Sequence, residues 1–315
     1  HPFTGFFDGK DYTIIGLYIN RPSTQCIGLF GVVNNATTYI KNVKVINSNF
    51  TGYTWTGGLI GKLTNIGSID RCIASGTILS SAGGNIAGMI GGIFQVPSGT
   101  EIIISNCKSN FHITGLSSAA GFVGLIRDNS RAITFSNCKS EGYVLGTNAS
   151  VFCPIGGFVA LMMDNKSKVK FQQCFSLADV EISYSGARYI GGFCGFIQSY
   201  GTAGYIDFID CFARGYVKSQ NFSAGGFIGW NEISSSYVTV SHCYSTGHVY
   251  SSNAYTGGFL GNGTITAQNN YYDKETAGKT DTNGATPKTT AEMKSQSTFI
   301  GWDFVNVWGI NEGVD

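Results

Sequence analysis

The sequence predicts an all-β fold, a right-handed parallel β-helix (solenoid) of about eight coils with N- and C-terminal caps, and three observations carry that prediction. A Gly-x-x-Gly phrase, or a one-residue variant of it, starts at Gly28, Gly58, Gly88, Gly121, Gly157, Gly192, Gly226 and Gly258, in steps of 30 to 36 residues. Between the phrases stand Cys72, Cys107, Cys138, Cys174, Cys211 and Cys243, each 14 to 19 residues after a glycine phrase. Within a unit, apolar and polar residues alternate with period two, as in "YVTVSHCYSTGHV", and no amphipathic helical spacing is sustained. Self-similarity at such a period is the signature of a stacked array sharing one continuous core.

Each unit reads as three short strands: the glycine phrase, the segment running into the cysteine, and the Ser-x-Gly-x-Val segment after it. Loops such as "NEISSS" and "SSNAYT" punctuate them. In a parallel stack neighbouring coils lie about 4.8 Å apart, so each residue is constrained by its own counterparts above and below. Leu29, Leu59, Met89, Phe122, Phe158, Phe193, Phe227 and Phe259 then form one apolar and aromatic ladder. Their flanking glycines suit a close backbone approach. The six cysteines form a second ladder, with Ile46 expected at the equivalent place in the first coil and Asn270 in the last.

The C-terminal stretch departs from the array. "DKETAGKTDTNGATPKTT" is polar and turn-rich and reads as irregular. Thr289 and Glu292 stand at capping-box spacing, which predicts one short helix. Met293, Phe299, Trp302 and Trp308 are expected to cover the open edge of the last coil, with a sugar groove as the competing use of the tryptophans.

Composition narrows the function. Charged residues make up 12% of the 315-residue chain, against roughly 25% in ordinary soluble domains, and the formal net charge is +1 with no block of like charge. A nucleic-acid or anionic-membrane surface would need a basic patch. No apolar run approaches the roughly 20 residues of a membrane helix. The chain begins at His1 without an initiator Met or a signal-like segment, which fits a removed leader or a fragment.

Catalytic and metal-binding constellations are poor. Asp207 and Asp210 in "YIDFID" have odd spacing and would point to opposite faces of a strand. Asp70 with Arg71 is an adjacent pair, and Asp179 with Glu181 can share a face; all read best as solvated surface charge. Stacking could still bring Asp179 and Glu181 to Arg214 or Arg188 from other coils. His112, His242 and His248 lack metalloprotease spacing, and neither a Gly-x-Ser-x-Gly elbow nor aspartate-rich calcium repeats occur. No catalytic, cofactor-binding or metal-binding residues are therefore assigned.

Nine cysteines cannot all pair within one chain. Residues stacked in register point the same way at about 4.8 Å, whereas bridged Cβ atoms want about 3.8 Å, so the ladder cysteines read as inert buried thiols. Cys26, Cys153 and Cys194 lie outside the ladder, and a bridge involving Cys26 or Cys153 stays open. Six Asn-x-Ser/Thr acceptors, at Asn35, Asn49, Asn148, Asn165, Asn221 and Asn262, would be glycan sites on exposed turns if the source is a eukaryote.

The phrases "GGLIGKL", "GGFIGWN" and "GGFLGNG", paired with "SNCKSEGYV" and "SHCYSTGHV", resemble the GLUG-motif repeat of secreted and surface-attached bacterial proteins. That family includes large adhesin-like proteins and the non-catalytic region of some immunoglobulin-A-cleaving metallopeptidases. "PFTGFFDGKDYTIIGLYIN" is similar to the segment that opens such arrays, and "NNYYDKETAGKT" with "KTTAEMKSQSTFIGWDFVNVWGINEG" to the one that closes them. Two departures stand out: Ala160 replaces the closing glycine in "GGFVA", and the chain stops at Asp315, where relatives continue into a further strand.

The organisation expected is an N-terminal cap with the first strands over 1–27, GLUG-type repeats over 28–262, and a capping segment with a short helix over 263–315 that continues into a longer protein. The resemblance implies an extracellular or cell-surface structural or adhesive module, a stiff spacer without catalysis of its own. Expected partners are glycans, surface proteins or further domains of the same chain, with no nucleic acid, no membrane insertion and no cofactor. The competing reading is a carbohydrate-active β-helix enzyme of the polysaccharide lyase or glycoside hydrolase type.

Overall fold

The computed structural model describes residues 1–81, 83–147, 152–183, 189–201, 203–220 and 222–314. They form a parallel β-solenoid of about eight turns. Each coil has four faces, not three. In one coil these are Ser223–Gly225, Ile228–Asn231, Val238–Ser241, and a fourth face made of Tyr244–Ser245 and Val249–Tyr250. Stacked on their equivalents, they build parallel sheets of 7, 8, 9 and 14 strands among the described residues. The extra face arises because the glycine phrase turns a corner in its middle, leaving a short strand on either side.

Register is strict along the stack. On the second face Val159 pairs with Cys194 and Cys194 with Ile228; on the third, Phe171 pairs with Phe208 and Phe208 with Val240. The phenylalanines after the glycines stack face to face, with centroids at 4.5 Å for Phe122 on Phe158, 4.8 Å for Phe158 on Phe193, and 4.9 Å for Phe193 on Phe227 and Phe227 on Phe259. These distances match the spacing of hydrogen-bonded strands, about 4.7–4.9 Å, so the rings stack at the pitch of the backbone. A second stack that the sequence reading missed, Phe135, Phe171 and Phe208, meets the first edge-on, as with Phe158 and Phe171 at 86°. Offset-stacked and edge-to-face pairs are each worth about 0.5–1.5 kcal/mol beyond area burial.

Close backbone approach explains the glycine phrase. A Cβ on Gly192 would lie 2.2 Å from the carbonyl oxygen of Gly226, and one on Gly226 would lie 2.1 Å from that of Gly258. From across the core, the serine two residues after the cysteine reaches the same corner: Ser109 Oγ donates to Gly121 O at 2.6 Å and Ser245 Oγ to Gly258 O at 2.8 Å. Ala160 is accommodated because its methyl packs with Ala87 and Ala120 in a small cluster.

The residue before each cysteine position turns the corner in the left-handed region. Asn42, Arg71, Asn106, Asn137, Gln173, Asp210, His242 and Asn269 all have φ between 50° and 54°. Asn and Asp tolerate that conformation best among non-glycine residues. Side chains brace part of the row: Asn137 Nδ2 donates to Asn106 Oδ1 and Asn106 Nδ2 to Asp70 Oδ1, each at 2.8 Å.

Residues 1–27 continue the stack, since Phe6–Asp8, Thr13–Ile15 and Tyr18–Arg21 pair in parallel with the next coil. Ile46 is not at the cysteine position. Ile73 pairs with Lys44, which places Val43 beneath Cys72, and Ile46 falls where the register shifts. Asn270 does occupy the last place of the row. Its Oδ1 accepts the Cys243 N–H at 3.0 Å, as Cys107 Sγ accepts that of Cys72 at 3.4 Å, and its Nδ2 donates to Val240 O at 2.8 Å.

The cap is the polar segment that the sequence left irregular. Asp281 Oδ2 accepts the Gly258 N–H, Asn283 Nδ2 donates to Leu260 O, and Tyr272 Oη donates to Asp281 O. Thr286–Lys288 then adds one last parallel strand to the fourth face. A strand edge presents both N–H and C=O groups, and Asp281 and Asn283 answer one of each, whereas a tryptophan offers only its single indole N–H. The α-helix among the described residues is Lys274–Ala277, capped by Asp273 and by left-handed Gly278. The Thr289 and Glu292 capping box forms, with Thr289 N–H to Glu292 Oε2 at 2.8 Å and Glu292 N–H to Thr289 Oγ1 at 3.1 Å, but it opens only a 3₁₀ turn over Glu292–Lys294.

The left-handed row generates a stability prediction. Asn137→Ala should cost about 1 kcal/mol, because a Cβ without a helpful polar side chain is penalised there, while Asn137→Gly should be nearly neutral. Urea midpoints check this. Equal losses in both variants would place the cost in the missing Asn137–Asn106 hydrogen bond instead of in the backbone.

Candidate functional site

The outer side of the fourth face carries a row of aromatic residues immediately after the cysteines. Phe175, Phe212 and Tyr244 stack at 4.7 and 4.9 Å, and Tyr271 pairs with Tyr244 in register. Strand alternation produces the row: Cys243 and Ser245 point inward and are buried, so Tyr244 between them points out. The aromatic C-terminal segment folds back onto these rings. Trp308 lies 5.7 Å from Tyr244 and 6.1 Å from Phe212, Trp302 lies 6.0 Å from Tyr271, and Trp302 meets Trp308 at 4.5 Å. Trp302 Nε1 donates to Asn269 O at 2.9 Å, and Phe299, Met293 and Tyr271 complete a buried apolar cluster. Met293, Phe299, Trp302 and Trp308 thus pack on the flank of the solenoid, where the aromatic row offers apolar surface.

Between this segment and the flank lies a groove of about 320 Å³. Arg214, Thr246 and Asp273 come from the fourth-face coils, and Lys294, Phe304 and Trp308 from the segment folded over them. The Asp273 carboxylate is committed to its helix, accepting from Glu275 N–H, Thr276 N–H and the hydroxyls of Thr276 and Thr290. Arg214 and Lys294 form no ion pair among the described residues. Sequence reasoning named Arg214 only as a possible neighbour of Asp179 and Glu181, and missed Thr246 and Lys294. The available signal was the outward position two residues after Tyr244 and its equivalents.

The flank also carries the carboxylates singled out in the sequence. Glu181 meets neither Arg214 nor a second free carboxylate. Its Oε1 accepts from Lys218 Nζ at 2.7 Å and its Oε2 from Tyr143 Oη at 2.8 Å. The Lys218 bond leads in holding its carboxyl below the ordinary range, despite an opposing desolvation effect. Asp179 Oδ1 accepts the Tyr216 N–H at 3.0 Å, and Arg188 lies outside the described residues. Asp207 pairs with Lys168 at 2.5 Å on the third face, while Asp210 sits in the left-handed corner, its carboxyl raised by burial, 3.7 Å from His242 Nδ1. Asp70 pairs with Arg71 at 3.3 Å. His112 lies against Tyr143 and His248 Nδ1 faces Thr276 O. No group of three or more His, Cys, Asp or Glu side chains suited to a metal ion occurs among the described residues.

All nine cysteines are free thiols, including Cys26 and Cys153, for which a bridge had stayed open. Cys72, Cys107, Cys138, Cys174, Cys211 and Cys243 are buried in register, and Cys138 Sγ donates to Ile104 O at 3.5 Å and Cys243 Sγ to Phe208 O at 3.6 Å. The bond to Cys107 and then burial raise the Cys72 thiol, while burial leads for Cys107, Cys138, Cys194 and Cys211. Burial pushes Cys153 up to about 12. Cys26 is half-buried and less shielded.

The sequons split. Asn49 is exposed on a fourth-face strand, and Asn35 and Asn262 are half-buried. Asn165 is not on an exposed turn. It is 4% exposed, accepts from Asn129 Nδ2 at 2.9 Å and donates to Ile126 O at 3.2 Å, which closes it to a glycan in the folded protein. Asn148 and Asn221 lie outside the described residues.

Fold and groove define a parallel β-solenoid with an aromatic, cation-bearing groove on one flank. A stretch of 132 residues, 41% of the chain, is 33% identical to Halomucin of Haloquadratum walsbyi and covers 1% of that protein. Another 47 residues, 14% of the chain, are 51% identical to a protein of Evansella cellulosilytica described as a Gly-rich membrane protein, covering 5% of it. The chain therefore spans a small fraction of the length of these curated relatives. No family model and no solved structure matches it.

Two measurements follow. Alkylation of the native protein should label Cys26 first and spare the six ladder thiols, and alkylation after unfolding without reductant should label all nine. A mass spectrum showing bridges between successive ladder members would overturn the stacking argument. For the carboxylate, Lys218→Met should move the Glu181 titration, followed by NMR, up toward the ordinary carboxylate range. A depressed folded pKa adds stability above the unfolded value that is lost as pH falls through the folded one, so the variant should also lose part of its acid-side stability dependence. An unmoved titration would show that Lys218 does not hold the carboxylate.

Proposed function

We propose that this chain is a structural and adhesive module of the GLUG-repeat kind, displayed outside the cell or on its surface, which acts as a stiff spacer and offers its flank for contacts. The carrying observation is the division of labour in the coil. Phe, Cys, Ser and Gly fill the interior in fixed register, while the outer fourth face displays Tyr143, Tyr216, Tyr250, Lys218 and the aromatic groove. Amphipathic aromatic rings beside Arg214 and Lys294, which form no ion pair among the described residues, suit recognition of polar ligands that also present an apolar face. The partial likenesses to Halomucin and to a Gly-rich membrane protein support the surface setting.

The module is proposed to have no catalysis of its own. Supporting this, Glu181 is held ionised by Lys218 and Tyr143, which is the wrong direction for a general acid. The test is a glycan-binding array alongside a turnover screen on acidic and neutral polysaccharides, with and without calcium. Binding without turnover is expected. Turnover that disappears in Asp179→Ala or Glu181→Ala would replace this reading with the carbohydrate-active enzyme.

A further inference from the structure

We propose that the flank groove binds a carboxylated sugar, such as a uronic acid at the end of a glycan, with Arg214 and Lys294 taking the carboxylate and Trp308 with Phe304 covering a ring face. This rests on the reading of the flank as a contact surface and names the site and the ligand class within it.

Three observations select the ligand. The groove's volume, about 320 Å³, falls at the lower end of the range for small-ligand sites, roughly 300–1,000 Å³. Its aromatic walls are only partly covered: Trp308, Phe304 and Tyr244 are half-buried, unlike Trp302, which is 9% exposed and committed to the cluster beneath. Its two cations make no ion pair among the described residues, whereas the one carboxylate in the lining, Asp273, is buried and occupied by its own helix and by Thr290. Arginine matches a carboxylate with two parallel N–H bonds, and the Thr246 hydroxyl, which forms no hydrogen bond among the described residues, adds a group for a sugar hydroxyl.

A peptide strand fits less well. Strand addition needs an exposed sheet edge with unpaired N–H and C=O groups, and the groove floor is the outer face of a sheet whose strands are paired on both sides here. A wholly neutral glycan would leave both cations unanswered.

The experiment titrates the protein with cellobiouronate and with cellobiose, following tryptophan fluorescence and heat, at low and high salt, and repeats this with Arg214→Gln, Lys294→Gln and the double variant. The uronate is expected to bind at least about tenfold more tightly than the neutral sugar, and each single variant to lose about tenfold, as for a charge-assisted hydrogen bond. Added salt should weaken the uronate alone. The far-UV spectrum and melting temperature of the variants should match the parent, since Arg214 is exposed, Lys294 is only half-buried, and neither forms an ion pair among the described residues. Equal affinity for the two sugars, or uronate binding untouched by the double variant, would overturn the proposal. If such a result came with array binding that survives the double variant, the contact-surface reading would stand and only this site would fall. Absence of binding to any array glycan or surface protein would sink both.

Discussion

Parallel register at the strand spacing is the constraint on which everything else depends. It sets each side chain on top of its own counterpart, so a residue is acceptable only if it packs against the column above and below it. Phenylalanine passes by stacking, with centroids 4.5 to 4.9 Å apart from Phe122 to Phe259. Cysteine passes because a thiol is small enough to stack and weakly polar enough to bond a carbonyl of the neighbouring coil, as Cys138 does with Ile104. Glycine passes where nothing larger fits against the next coil.

Those columns were legible because they repeat at nearly constant spacing: the glycine phrase, the ring after it, and the cysteine. The Phe135, Phe171 and Phe208 column was not, because lower coils replace it with Ile69 and Ile104 and the upper one with Val240, all ordinary strand residues. Nor was the left-handed corner, whose occupants include Arg71, Gln173 and His242 beside the telling asparagines. Reading Ile46 where Val43 belongs followed from counting across a bulge. The groove was hidden for a different reason. Arg214 and Thr246 look like any outward strand residues until the C-terminal segment folds against them, and nothing local in "STFIGWDFVNVWG" says which surface it will cover.

Inside and outside are chemically decoupled in this architecture. The interior columns tolerate little change, since a truncation such as Phe158→Ala costs about 3–5 kcal/mol on the usual scale for buried aromatics. Apart from the stacked Phe175, Phe212 and Tyr244, outward positions need no matching column, and neighbouring coils hold Tyr143, Asp179, Tyr216 and His248 along one line. Recognition surfaces can therefore vary without disturbing the rod.

The final strand, Thr286–Lys288, has a consequence for assembly. A parallel solenoid extends by the same hydrogen bonds at every step, so each terminal strand is a template for another chain. Pro287 stands at the centre of this three-residue strand. It brings no N–H to the outer side, and its neighbours are too few to hold a partner in register. On the fourth face the last rung thus works as a chain terminator built into the backbone, making that edge a poor template for fibre growth.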